Sequence, residues 1–257
     1  MEHEFYDIIE YSKGNVHVIY EDNHMICVEK PRGILSQSDI SGDVDLLSEI
    51  KNDIKIRYNK SGEAFVGLVH RLDRNTGGTM IFAKTSKGAS RLSEELRAKR
   101  MHKGYFVLVS GGVDLPKGGA LLKDKLEKNE AENIVKPSKN GKDCLLFAEK
   151  VAENKEYTLC FAVPITGRTH QIRAQFALRG WHLAGDVKYG GKPSENNFLG
   201  LWSSIIFVKH PTKDIQLRIA SYPKDSKWKI FSENIYKTKV TEICELGEFE
   251  DLWKSLI

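Results

Sequence analysis

No apolar run in this chain approaches the roughly 20 residues that a membrane-spanning helix requires, so no such helix is expected. Cysteine is scarce and scattered: Cys27, Cys144, Cys160 and Cys244 form no CxxC and no Cys/His ligand spacing. That argues against a zinc ribbon or a disulfide scaffold and predicts buried, reduced thiols in a cytoplasmic protein. No phosphate-cradling glycine loop and no metal-ligand cluster stands out, so no cofactor and no metal is expected. Charge of one sign is also missing. The net value is only +4, so a polyanionic partner must be argued from where the charges sit. The opening stretch, MEHEFYDIIEYSKGN, is acidic and mixed, unlike a secretory or basic transit peptide.

What is present fits a globular protein. With 257 residues, 40% hydrophobic and 29% charged, the chain has enough material for one sizeable domain or two small ones and no sign of extended disorder. The stretch that organises it is residues 66–84, VGLVHRLDRNTGGTMIFAK. Two apolar runs, Phe65–Val69 and Thr79–Ala83, read as strands, and the loop between them carries His70, Arg71, Asp73, Arg74, Asn75 and Thr76 before Gly77 and Gly78. Polar groups gathered in one loop between core strands suit a rigidly mounted site, although a β-turn with a solvated salt bridge has the same look.

Taken in order, Val16–Tyr20 and Met25–Lys30 read as strands around a Glu21-Asp22-Asn23-His24 turn, followed by a sharp exit at Pro31 and Gly33. Apolar residues at 46, 47, 50, 54 and 56 predict an amphipathic helix over 43–58. Ser86–Arg100 predicts a second helix, N-capped by Ser86, with a basic end at Arg97, Lys99, Arg100 and Lys103. Lys103–Gly111 is a strand containing Tyr105. Residues 112–142 read as loop and edge-strand material, and Cys144–Val151 with Glu156–Val163 as a hairpin. Next comes VPITGRTHQIR, in which Thr169 is expected to cap a helix carrying His170 and Arg173, with Ile172, Phe176 and Leu178 pointing inward. GWHLAGDVKYG follows. Phe198–Val208 and Ile215–Ala220 are late strands, and Trp228, Phe231, Phe249 and Trp253 offer an apolar face for a docked C-terminal tail.

Together HRLDRNTGG, the strand ending in Lys-Pro-x-Gly, and TGRTHQIR followed by GD-x-x-YG resemble, in the same order, the motifs of the RluA-like pseudouridine synthases. The departure is Gly77, where the family often has Ser or Thr. The resemblance covers roughly residues 16–220 and implies an α+β fold with a mixed, largely antiparallel central sheet flanked by helices and loops, without an S4 module. It implies an N-terminal extension at 1–15, a catalytic domain at 16–221 and a tail at 222–257 packing on it. The implied activity is isomerisation of uridine in structured RNA, either rRNA (23S first) or tRNA, by a cytoplasmic monomer that needs no cofactor, metal or membrane.

The same resemblance assigns roles. Asp73 is the catalytic carboxylate, acting as nucleophile or as a stabiliser of charge at C1′. Arg173, with Arg168 as second choice, is the guanidinium that keeps it ionised against desolvation. Tyr105 covers the flipped base, Arg71 fills the vacated stack, and Ile172 is an apolar wall. Lys84, Lys87, Arg91, Arg97, Lys99, Arg100 and Lys103 are the expected phosphate contacts. His170 reads as a structural hydrogen-bonder. Two other classes compete: a catalytically inactive RNA-binding homologue, and a glycoside hydrolase, which normally needs a second carboxylate that no motif singles out.

Overall fold

A computed structural model of the chain describes residues 7–11 and 14–245. In chain order its elements are β1 (Asp7–Tyr11), β2 (Gly14–Glu21), β3 (Met25–Lys30), α1 (Leu46–Arg57), β4 (Gly67–Leu68), β5 (Gly77–Ala83), α2 (Ser86–Arg97), β6 (His102–Ser110), β7 (Ala120–Asn129), β8 (Ile134–Pro137), β9 (Lys142–Glu153), β10 (Tyr157–Pro164), α3 (Gln171–Ala177), β11 (Leu201–Lys209), β12 (Gln216–Ala220) and α4 (Glu233–Glu245), with short 3-10 turns before β11 and α4. They fall into two units, one of residues 1–101 and 203–221, the other of 102–202 and 222–257.

In the first unit the strands run in the order β1-β2-β3-β5-β11, with β4 paired to β5 and β12 to β11. β3 is buried at all six positions, as expected of a central strand covered on both faces. Its antiparallel neighbour β5, GGTMIFA, is buried throughout as well. Their inward residues Met25, Cys27, Ile81 and Ala83 join Leu92 of α2 and Ile206, Val208 and Ile219 of the last two strands in one apolar cluster. Gly78 has no alternative there. With φ +112° its Cβ position would lie 2.1 Å from the Ser203 carbonyl oxygen, so only glycine lets β5 and β11 close up.

Two helical expectations need local correction. α1 buries Leu46, Ile50 and Ile54 and is capped by Asp45, which accepts the Ser48 N–H at 3.0 Å. Ile56 is instead 68% exposed, because its position in the turn points away from the sheet. The cap of α2 is Thr85, not Ser86: Thr85 keeps extended backbone and accepts the Gly88 N–H at 3.0 Å, whereas Ser86 is already helical.

The turn between β2 and β3 is locked from a distance. Asp22 Oδ1 accepts the N–H groups of His24 (2.8 Å) and Met25 (3.0 Å), while Oδ2 accepts from His210 Nε2 at 2.6 Å. His210 Nδ1 in turn accepts the N–H groups of Thr212 and Lys213, which places its proton on Nε2. Burial alone would raise the Asp22 carboxyl; the His24 N–H, His210 and the Met25 N–H outweigh it and hold the group well below the usual carboxylate range.

The second unit is an antiparallel sheet in the order β6-β10-β9-β7-β8. Residues 112–142, read from sequence as loop and edge-strand material, contain β7 and the edge strand β8. β7 spans ten residues and pairs with β9, because Leu122 and Leu126 alternate inward while the intervening lysines face water. Leu126, Val135 and Cys144 pack with Ala174 of α3 and Tyr189. The chain after Ser221 packs on this sheet through Trp228 and Tyr236, whose ring meets Phe106 at 5.0 Å. Phe249 and Trp253 lie outside the described residues.

Asp22→Asn is expected to lower unfolding free energy by about 1–3 kcal/mol at neutral pH. Because the folded value is depressed, the carboxylate's contribution is complete above its ordinary value of 3.8 and is lost as pH falls through the folded value. Urea titrations of both proteins should therefore diverge at neutral pH and converge in acid; parallel curves would remove the clip from the stability account.

Candidate active site

The loop bearing Asp73 is held from below by one buried ammonium. β3 ends at Lys30, which is fully buried, and its Nζ donates to the carbonyls of Pro31 (3.1 Å), Asp73 (3.3 Å), Arg74 (2.9 Å) and Thr76 (2.9 Å). Further bonds close the same loop. Gly33 N–H reaches the Arg74 carbonyl at 2.9 Å, Thr76 N–H reaches that of Asp73 at 3.0 Å, and the Ser36 hydroxyl both donates to the Leu72 carbonyl (2.7 Å) and accepts its N–H (3.1 Å). His70 Nε2 accepts the Ile81 N–H at 3.1 Å, tying the loop's first residue to β5. Burial pushes the Lys30 ammonium down to about 7, Asp73 pulls it back, and Arg74 and Arg32 add to the fall. The carbonyls act on the same side as Asp73, since hydrogen bonds to the charged form favour it.

On this base the Asp73 side chain is half-buried. Arg71 is exposed, and Arg74, also exposed, pairs with Asp43 of the loop before α1. The arrangement is a carboxylate on a preformed mount with one arginine projecting beside it in sequence.

The second unit supplies the TGRTHQIR turn and α3. The Thr166 hydroxyl accepts the Leu145 N–H (2.9 Å) and donates to Gln171 Oε1 (2.8 Å), which also accepts the Arg168 N–H (3.0 Å). Gln171 passes its amide to Gln175, and Gln175 to Asp124, so buried glutamines fix the turn against β9 and β7. The expected cap by Thr169 is replaced by His170, which sits at φ +50° in the left-handed region and makes no side-chain cap bond. Its Nδ1 lies 3.0 Å from the Tyr189 hydroxyl, a structural bond of the kind the sequence suggested. Arg173 forks onto Asp186, Nε to Oδ2 and Nη2 to Oδ1, both at 2.7 Å, and its guanidinium lies over the Tyr189 ring at 5.0 Å. Tyr105, on β6 opposite Ala162, is 7% exposed, and Ile172 is 6% exposed. Arg168 is exposed, and Leu178, expected inward, is 43% exposed because it falls in the last turn beyond the packed face.

The cations expected on RNA phosphates divide into two groups. Lys84 is held by Glu21 and lies over the Tyr58 ring, Arg91 donates to the Pro211 carbonyl at 2.6 Å, and Arg100 is forked on Glu95. Lys87, Arg97 and Lys99 project into solvent. Lys103 on β6 is part-buried, and burial pushes it down to about 8. Lys30 and Asp186 both lie inside the motifs, without a role assigned to them from sequence. The signal was there: a lysine closing the run Met25–Val28 and Glu29, and an aspartate in a glycine-rich turn, both need a partner when buried.

Among the described residues no cluster of His, Cys, Asp and Glu is arranged to hold a metal, and no helix is long and apolar enough to cross a membrane.

Comparison with known proteins agrees with the motif order. Among solved structures, the human RNA pseudouridylate synthase domain containing 1 protein superposes with a TM-score of 0.70 over 90% of this chain and 97% of its own, at 17% identity. The corresponding human domain containing 4 protein gives 0.65 over 86% and 92%, at 18% identity. The fold is thus that of a pseudouridine synthase. The profile of the RNA pseudouridylate synthase family matches residues 24–178, and the chain belongs to that family, whose members are isomerases. Relatives include ribosomal large subunit pseudouridine synthase C of Vibrio parahaemolyticus (31% identical over 82% of this chain and 66% of the relative) and of Buchnera aphidicola (33% over 85% and 70%), and synthase D of Borreliella burgdorferi (30% over 90% and 72%). This chain therefore spans about two thirds of the length of those relatives.

Replacing Lys30 with Met leaves the loop carbonyls without their donor. The expected cost is about 3 kcal/mol or more in unfolding free energy, well above a surface Lys→Met change. Denaturant titration of the two variants checks this, and equal midpoints would show that the ammonium does not hold the loop.

Proposed function

We propose that this chain is an RNA pseudouridine synthase that isomerises one or a few uridines in structured RNA, with 23S rRNA ahead of tRNA as substrate. The names of the relatives, which specify the large ribosomal subunit, support that order. The observation that carries the reading is the braced Asp73 loop: a carboxylate mounted on backbone whose carbonyls one buried ammonium gathers. In the proposed reaction the N1–C1′ bond breaks, the uracil turns, C5 bonds to C1′, the C5 hydrogen leaves as a proton and N1 regains one. Nothing is oxidised or reduced, so no cofactor is called for.

Each residue then has a task. Asp73 acts at C1′, as nucleophile or charge stabiliser. Arg173 keeps it ionised, and a planar fork suits that better than an ammonium. Arg71, which projects from the same loop, enters the space the flipped nucleotide leaves. Tyr105 covers the base and Ile172 lines it. Arg168 joins Arg71 in base flipping, and Lys87, Arg97, Lys99 and Lys103 take phosphates. Residues 16–221 would act as one catalytic domain in a cytoplasmic monomer, with 222–257 as its packed tail.

RNA labelled with tritium at uridine C5 tests the reading. Release of tritium is expected from the unaltered protein, with a loss of about 1000-fold or more in Asp73→Asn and about 100-fold in Arg173→Lys, while Arg97→Lys stays within about twofold. An unaltered protein that binds RNA without releasing tritium would be the inactive homologue instead. Free base or sugar among the products would mark a hydrolase.

A further inference from the structure

The Arg173 guanidinium is fixed in two directions by groups of its own unit. In its plane, Asp186 takes the Nε and one Nη2 hydrogen through two bonds of 2.7 Å, with the Asp186 side chain 1% exposed and that of Arg173 10% exposed. The guanidinium carbon also lies over the Tyr189 ring, 5.0 Å from its centroid. Of the five N–H donors of a guanidinium, the fork engages two and thereby sets where the rest point.

The turn that delivers these partners is itself tightly specified. Gly185 has φ +79°, and a Cβ there would lie 1.8 Å from the Phe198 carbonyl oxygen, so the chain enters Asp186 along a path only glycine permits. The Asp186 carbonyl then accepts the N–H groups of Tyr189 (3.1 Å) and Gly191 (2.8 Å), which folds the Tyr189 ring back under the guanidinium. The Tyr189 hydroxyl accepts the Val135 N–H at 2.9 Å and meets His170 Nδ1 at 3.0 Å, anchoring the ring to β8 and to the start of α3. A buried ion pair adds little net stability compared with apolar packing of the same volume. It is far better suited to aiming a group.

We propose that Asp186 is a positioning residue for the uridine reaction, fixing the orientation of the Arg173 guanidinium that the reaction uses. This rests on the reading that Arg173 is the partner of Asp73. Asp186 touches neither substrate nor reacting atoms in this role; it acts through the guanidinium alone. Removing its charge frees the arginine to rotate among rotamers, and a misplacement of about 1 Å near reacting atoms costs on the order of 100-fold in rate.

The test uses Asp186→Asn and Asp186→Glu in the full chain. Single-turnover tritium release gives the rate at saturating enzyme, filter binding gives the RNA Kd, and thermal unfolding verifies the fold. Asp186→Asn is expected to lose about 100-fold in rate with Kd within about threefold of the unaltered protein. Asp186→Glu keeps the charge on a longer arm and should fall between, about tenfold down. A rate within threefold of normal in Asp186→Asn, or a loss that appears only in Kd, would overturn the proposal. Should Asp186→Asn fail to fold, Asp186→Glu decides: a normal rate there means that guanidinium placement is not limiting. Absence of tritium release from the unaltered protein would instead sink the isomerase reading itself.

Discussion

The structure depends on a lysine that has no solvent around it. Lys30 ends a strand whose other residues are core, and burying its ammonium is costly unless strong acceptors surround it. The fold supplies the carbonyls of Pro31, Asp73, Arg74 and Thr76, which draws a polar loop down onto the end of β3. The desolvation that makes an unpaired lysine intolerable is the force that shapes the loop. An aspartate on such a mount keeps its place before any ligand arrives, so less ordering remains when RNA binds.

The same logic recurs in the second unit with the signs exchanged. There a buried carboxylate, Asp186, is satisfied by a guanidinium, and the geometry of the fork orients Arg173. Glutamine side chains do the equivalent for the GR turn, linking Leu145, Gln175 and Asp124. In both units polar groups proposed for the chemistry stand on backbone tied down by hydrogen bonds, and the apolar sheets behind them supply rigidity rather than specificity.

Much of this was legible in the sequence, for physical reasons. The runs MICV in β3 and MIFA in β5 carry a continuous apolar signal because both faces are covered, and α1 shows its buried stripe at 46, 50 and 54. The motif order located Asp73 and the TGRTHQIR turn, and the family match spans both. What escaped depends on contacts distant in sequence. β7 looked like edge-strand material because lysines and an aspartate separate its inward leucines, and its pairing with β9 on one side and β8 on the other is not written locally. The caps slipped by one residue at Thr85 and His170, where backbone conformation rather than residue type decides. Lys30 and Asp186 were visible as letters of motifs, but their partners lie 43 and 13 residues away.

Amide hydrogen exchange in the RNA-free protein tests most directly whether the Asp73 loop is built in advance. The N–H groups of Gly33, Leu72 and Thr76 are bonded to the Arg74 carbonyl, the Ser36 hydroxyl and the Asp73 carbonyl. A preformed loop should slow their exchange by about 1000-fold or more relative to an unstructured peptide. Exchange near the unstructured rate until RNA is added would contradict it, and would mean that the substrate, not Lys30, organises the loop.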